Sequence, residues 1–418
     1  MRRRSLLVAG VCALLALTGA GVAVAAADPA AKTAAQPQRA PASAPQLRLH
    51  HDVSGLQEPG GETTGVLESV TAGTIERAAS RTFTYSGADY VKVHFSRLAL
   101  DAGDRVVVSD ARGEEHYEYT SKELGEADNW SMSVSGDRAV VRVVKARDDV
   151  FGIRSRLAGM GVTVDRVARG QTTAERARAD ADRRAALAAA PHEESICGRT
   201  NETENAACYK SSDPVAYANS KPVARILING VELCTAWRVG TQNRMLTNHH
   251  CFTTTREART TEVWFNYECA QCSGGATLRP TKVMGDQVLA TDDILDYTLF
   301  SVRNFNQITQ FGYLQIDDRA PVRGEELYIP QHPRGAPTVI TTEDSTERSG
   351  NCAVSDPSYD GYAAGTDMSY YCDTDGGSSG SPVISRRTNK VIALHHFGGC
   401  PNSGVRIDRI ADQLRNLM

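Results

Sequence analysis

From about Thr82 onward, this chain is dominated by short runs in which apolar and polar residues alternate. Tyr90-Val91-Lys92-Val93-His94-Phe95, Asp104-Arg105-Val106-Val107-Val108-Ser109-Asp110, Trp130-Ser131-Met132-Ser133-Val134 and Ala139-Val140-Val141-Arg142-Val143-Val144 are separated by Gly-Asp and Asp-Ala-Gly turns. A period of two turns one side of each strand toward a core, so residues 66–168 are expected to form a small β-sandwich. The pattern then changes. Thr172 to Ala190 is dominated by Ala, Arg, Asp and Glu, which predicts a solvated connecting helix over 169–190, stopped by Pro191. Residues 191–418 return to short strands between turn signals: Ala224-Arg225-Ile226-Leu227-Ile228, Glu262-Val263-Trp264-Phe265, Tyr297-Thr298-Leu299-Phe300-Ser301-Val302, Glu326-Leu327-Tyr328-Ile329, Pro382-Val383-Ile384 and Lys390-Val391-Ile392-Ala393-Leu394. A unit of this size is long enough for its own core, and an all-β barrel or sandwich is the expected class.

The first 65 residues show neither period. Arg2-Arg3-Arg4, an apolar run from Ser5 to Leu17 and the small residues Val22 to Ala27 follow the order of a secretory signal, expected over 1–27. The Arg3-Arg4-Ser5-Leu6-Leu7 run also fits a twin-arginine start. Cys12 does not read as a lipid anchor, because apolar residues continue beyond it. Residues 28–65 begin rich in Ala, Pro and Gln and read as a disordered linker. No later stretch reaches the ~18 apolar residues of a membrane helix, so the expected product is secreted, extracellular and without a stable membrane anchor. Lys plus Arg number 46 against 50 Asp plus Glu, a net charge of -4 that gives no reason to expect nucleic acid. Of ten cysteines, Cys12 would leave with the signal, and the rest lie between Cys197 and Cys400.

Three local patterns in the last unit carry the candidate chemistry. Thr247-Asn248-His249-His250-Cys251 follows an apolar segment; Asp293-Ile294-Leu295-Asp296 precedes the strand from Tyr297; Gly376-Gly377-Ser378-Ser379-Gly380-Ser381-Pro382 is a Gly/Ser loop. Each alone has an ordinary structural reading: a packing detail, a strand start, a turn. Together, in the order His, Asp, Ser, they resemble the chymotrypsin-like serine endopeptidases, whose catalytic triad follows that chain order. The Gly-Ser-Ser-Gly-Ser-Pro and Thr-Asn-His-His-Cys stretches look most like the bacterial glutamyl and lysyl endopeptidase branch. The resemblance covers roughly residues 195–418 and implies an all-β double β-barrel protease domain, preceded here by the small β-sandwich.

What the resemblance implies can be stated residue by residue. Ser379 would attack the peptide carbonyl, His250 would take its proton, and Asp296 would hold the His250 tautomer. The amides of Gly377 and Ser379 would form the oxyanion hole. His249 competes with His250, which is preferred because the family's base immediately precedes the cysteine. Asp292 and Asp293 compete with Asp296, preferred because the family's acid directly precedes the apolar strand. In trypsin-type enzymes an Asp just before the nucleophile receives the new N-terminus; here that position is Ser378. Activation by N-terminal insertion is therefore not expected, and 66–168 is expected to be a propeptide, with a retained binding module as the alternative.

Specificity signals conflict. Asp373, six residues before Ser379, matches the acid at the pocket base of trypsin-like enzymes and favours Arg or Lys. His395-His396-Phe397-Gly398 resembles the pocket wall of glutamyl endopeptidases, which favours Glu. Basic specificity is the first expectation and Glu the second. The family also implies disulfides: Cys234 with Cys251, Cys197 with Cys400, Cys208 with Cys272 and, by remainder, Cys352 with Cys372, leaving Cys269. Cys269-Ala270-Gln271-Cys272 has no second such pair to complete a zinc site, so no metal and no cofactor are expected. The expected product is a monomer whose partners are protein or peptide substrates and its own prodomain. The rival from another class is a catalytically silent protease-like binding protein.

Overall fold

The computed structural model describes residues 62–63, 65–101, 103–126, 128–145, 160–189, 196–198, 200–346 and 349–418. The expected signal and nearly all of the expected linker lie outside the described residues. No described helix is long and apolar enough to cross a membrane.

The N-terminal strands form two antiparallel sheets. Gly65–Ser69, Gly161–Gly170, Tyr90–Ala99 and Val134–Ser135 follow one another in the first, with Ile75–Glu76 beside Gly161–Gly170. Ser80–Thr84, Arg138–Val144, Arg105–Ser109 and His116–Tyr119 make the second. Val91, Val93, Phe95, Val106, Val108, Val141 and Val164 share one buried cluster, so the two sheets are the halves of a sandwich. The period of two is visible in Arg138–Val144, where Ala139, Val141 and Val143 are buried and Arg138, Arg142 and Val144 exposed. The Trp130–Val134 run behaves differently. Ser131 to Ser133 are not strand, and the Ser133 backbone is used for a contact with the C-terminal unit described below. Helix Thr173–Ala189 follows, its start fixed by a capping box in which Thr172 and Glu175 exchange hydrogen bonds.

Two barrels make up the C-terminal unit. Glu232–Arg238, Val223–Ile228, Glu262–Phe265, Thr281–Asp292, Tyr297–Val302 and Met245–Thr247 pair in that order, and Met245–Thr247 pairs back to Glu232–Arg238, closing a six-stranded barrel. Leu327–Gln331, Pro382–Ser385, Val391–Phe397, Asn402–Arg406, Asp367–Tyr370 and Val354–Tyr359 form the second, closed by a bridge between Glu326 and Ala353. Closure removes the exposed sheet edges that alternating strands would otherwise present. Between the barrels, Trp237, Leu246 and Leu299 of the first meet Ile384, Leu394 and Val405 of the second, joined by the terminal helix Ile407–Leu414.

Val223–Ile228 is buried along its whole length, although its pattern is that of a two-faced strand. Ala224, Ile226 and Ile228 fill the barrel interior. Leu227 points outward, against Tyr90 of the sandwich and Trp264. The sandwich thus covers the outer face of the first barrel. Glu62–Thr63 adds to it as an extra strand, antiparallel to Glu232 and Leu233.

Candidate active site

The barrel strands deliver the three sequence patterns to one place. His250 leaves the end of Met245–Thr247, and Asp296 sits at the start of Tyr297–Val302 with φ 40°, a left-handed conformation unusual for a side-chain-bearing residue. Two local contacts enforce it. Asp292 Oδ1 accepts the Ile294 and Leu295 amides, and Asn248 Nδ2 donates to the Asp296 carbonyl. Asp292 is therefore occupied with its own turn, and Asp293 is exposed.

His250 donates its backbone N–H to Asp296 Oδ1 at 3.0 Å, and its Nδ1 meets Asp296 Oδ2 at 2.8 Å. Its Nε2 is buried and has no hydrogen-bond partner among the described residues. His249 turns away, its Nδ1 on Thr291 Oγ1 at 2.8 Å. Burial opposes a charge on Asp296, but the His250 and His396 rings outweigh it and hold the carboxyl well below its usual range.

Ser379 lies in a turn flanked by Gly377 (φ 87°) and Gly380 (φ 88°). A Cβ on Gly380 would stand 2.1 Å from the Thr235 carbonyl oxygen, so only glycine lets the turn approach the first barrel this closely. Thr235 is the anchor. Its N–H donates to the Ser379 carbonyl at 2.8 Å and its Oγ1 to the Gly377 carbonyl at 2.9 Å. The neighbouring Cys234 is bonded to Cys251, which follows His250, so one disulfide and one threonine register the Ser379 turn against His250. Among the described residues, the Gly377 and Ser379 amides have no acceptor, as an oxyanion site requires. Ser378 is fully buried and its Oγ accepts the Asp375 amide, a neutral contact. Sequence reasoning missed Thr235; its place beside a half-cystine was the available signal.

The specificity residues are engaged within the fold. Asp373 is fully buried, and its two oxygens accept the Cys197 and Glu202 amides at 2.7 Å each, tying the start of the C-terminal unit to the segment before Ser379. Burial pushes it up to about 6 despite those donors. The His396 ring is buried between Asp296 and Asp367. His395 is buried with Nδ1 sharing a hydrogen bond with Tyr370 Oη at 2.7 Å, and burial, with the His396 and His250 charges nearby, pulls it down to about 3. Phe397 packs edge-on to Tyr362, and Gly398 is half-buried at the strand end.

Four disulfides join Cys197 to Cys400, Cys208 to Cys272, Cys234 to Cys251 and Cys352 to Cys372, and Cys269 is free and buried. Donor atoms of Cys234, His250 and Cys251 lie within 4.8 Å of one another, but both sulfurs are in a disulfide and offer no thiolate to a metal.

Two closed six-stranded barrels, with a His–Asp pair on one and a serine in a glycine-flanked turn on the other, make a chymotrypsin-like double β-barrel fold. Residues 234–394 match the family model of the trypsin-like peptidase domain. Secreted RxLR effector protein 73 of Plasmopara viticola is 34% identical over 230 residues, covering 53% of this chain and 56% of the relative. The chain thus spans little more than half the length of that relative. Among solved structures, a Glu endopeptidase in complex with MPD is 17% identical at a TM-score of 0.38, covering 53% of this chain and 97% of its own. The active form of the Rv3671c protease from M. tuberculosis is 15% identical at a TM-score of 0.36, covering 53% and 92%.

Proposed function

We propose that this chain is the precursor of a secreted serine endopeptidase that hydrolyses peptide bonds through Ser379, His250 and Asp296. One observation carries the reading: His250 has its Nδ1 fixed on Asp296, and its buried Nε2, without a partner among the described residues, is left open to take up a proton. Ser379 Oγ would attack the substrate carbonyl as Nε2 takes its proton, and the Gly377 and Ser379 amides would receive the negative oxygen. His250 would return the proton to the leaving amine, giving an acyl-enzyme that water then hydrolyses. A silent binding protein is the less favoured reading, since such members lack a triad residue and here all three are present.

Both Asp373 oxygens accept backbone amides and the His396 ring lies between Asp296 and Asp367, so neither basic nor Glu specificity keeps the side chain that favoured it. Digestion of a peptide library by processed protein, beside Ser379→Ala, tests the mechanism and reads the preference directly. Cleavage that vanishes in the variant is expected; cleavage unaffected by the variant would refute the mechanism.

The sandwich is proposed as a prodomain. Glu62–Thr63 occupies the edge beside Leu233, two residues from Thr235, where an extended substrate reaching the nucleophile turn would compete with it. The sandwich meets the barrel through the ion pairs Lys92–Glu262 and Lys282–Glu115 beside an apolar cluster of Tyr90, Leu227, Leu233 and Trp264.

A further inference from the structure

Resting on that reading, one residue outside the three patterns touches the triad. His396 Nδ1 lies 3.0 Å from Asp296 Oδ2, the same oxygen that His250 Nδ1 meets at 2.8 Å. On its other side, His396 Nε2 lies 2.5 Å from Asp367 Oδ2, which also accepts from Ser403 Oγ at 2.8 Å. All three groups, Asp296, His396 and Asp367, are buried. We infer that His396 is a positioning residue of the catalytic triad: its imidazole, clamped between Asp367 and Asp296, orients the carboxylate that orients His250 and ties it to the second barrel.

The geometry dictates the ring's state. A carboxylate only accepts, so a ring with a carboxylate oxygen on each nitrogen must donate from both, and an imidazole that donates twice is a cation. The charge order is then Asp367 minus, His396 plus, Asp296 minus, with His250 at the end. Burial opposes the His396 charge, but Asp367, followed by the contacts with Asp296, outweighs it and raises the ring to about 9. The other titratable groups around it are His250 across the barrel gap, His395 beside it in the strand, and Tyr362, whose ring is edge-on at 5.9 Å. A fixed cation on Asp296 Oδ2 competes with His250 for that charge. It trades some stabilisation of the His250 imidazolium for a carboxylate that cannot rotate away.

His396→Gln in processed enzyme is therefore expected to lower kcat about 10- to 100-fold with KM changed less than about threefold, and to move the ascending limb of kcat/KM up by about one pH unit. A merely structural role would lower the amount of active enzyme and leave that limb in place, which would overturn the inference. Histidine-labelled nitrogen NMR of Ser379→Ala protein reads the ring without any activity. A doubly protonated imidazole at pH 7.5, losing its proton near pH 9 and missing from the His396→Gln spectrum, is expected; a neutral ring there would overturn the inference even if the variant fails to fold. Wild-type protein that cleaves no peptide while its His396 is cationic would refute the endopeptidase reading instead.

Discussion

Between the sandwich and the first barrel, Lys92, Glu262, Lys282 and Glu115 lie buried; between the two barrels, Asp367, His396 and Asp296 lie buried beside a half-buried His250. Lys92 Nζ meets Glu262 at 2.9 Å and Lys282 Nζ meets Glu115 at 2.7 Å, with Ser133 joining the pairs through its amide, hydroxyl and carbonyl. Burial costs each of these charges heavily, so each is retained only with its partners. Glu262 is held below its usual range against burial by Lys92 and Lys282, while burial pulls Lys282 down in spite of Glu115 and Glu262. Both clusters alternate in sign, yet their cations differ. The cluster under the sandwich is closed on itself, each charge paired, and can only bind two units together. The cluster between the barrels ends on His250, whose Nε2 has no partner among the described residues, and an imidazole can both take up and return a proton.

The comparison is tested first where the effect is largest. Asp296→Asn should lower kcat by about 10⁴, because an amide offers His250 the wrong tautomer partner; steady-state kinetics within tenfold of wild type would place Asp296 with the inert cluster. Glu262→Gln should strike the other cluster alone. Lys92 and Lys282 lose the charge they share, the Ser379→Ala precursor should lose about 3–5 kcal/mol in a denaturant titration, and kcat of processed enzyme should stay unchanged. An unaltered precursor would show that the interface is not held by these pairs.

A pH titration of stability separates the two cations. His396 is raised above its unfolded value of 6.5 to about 9, so its contribution is complete below pH 6.5 and lost as pH rises through 9. Ser379→Ala should lose on the order of 2–3 kcal/mol across that window relative to Ser379→Ala/His396→Gln. Parallel curves would remove the titrating imidazole from the account. Thr235→Val is the smallest change: it deletes the hydroxyl on the Gly377 carbonyl, with an expected cost of about 1 kcal/mol and a roughly tenfold fall in kcat, measured by unfolding midpoint and kinetics. A fall in stability without one in kcat would mean that Thr235 holds the barrels together without aiming the turn.

Strand periodicity made the fold class legible, because alternation reports which side of a strand is buried. It could not report that Arg225 and Leu227, on the outward side of Val223–Ile228, are covered by another part of the chain. Glu262 and Lys282 read as ordinary outward positions on barrel strands for the same reason: their partners are more than a hundred residues away. The Gly377-Ser378-Ser379-Gly380 turn was legible since its glycines are demanded by local backbone geometry. His395 and His396 were not separable by sequence. Adjacent residues on a strand point to opposite faces, and only the fold shows that one meets Tyr370 and the other Asp296. Asp373 held the position of a pocket acid, but what decides its chemistry is the approach of the Cys197 and Glu202 amides from far upstream.

The central claim is that Ser379 is a nucleophile activated by His250. Incubating processed protein with a peptidyl phosphonate and locating the adduct by peptide mass mapping tests it most directly. A single adduct on Ser379, absent from His250→Ala protein, is the result this account predicts; processed wild-type protein that carries no adduct, or one on another residue, would contradict it.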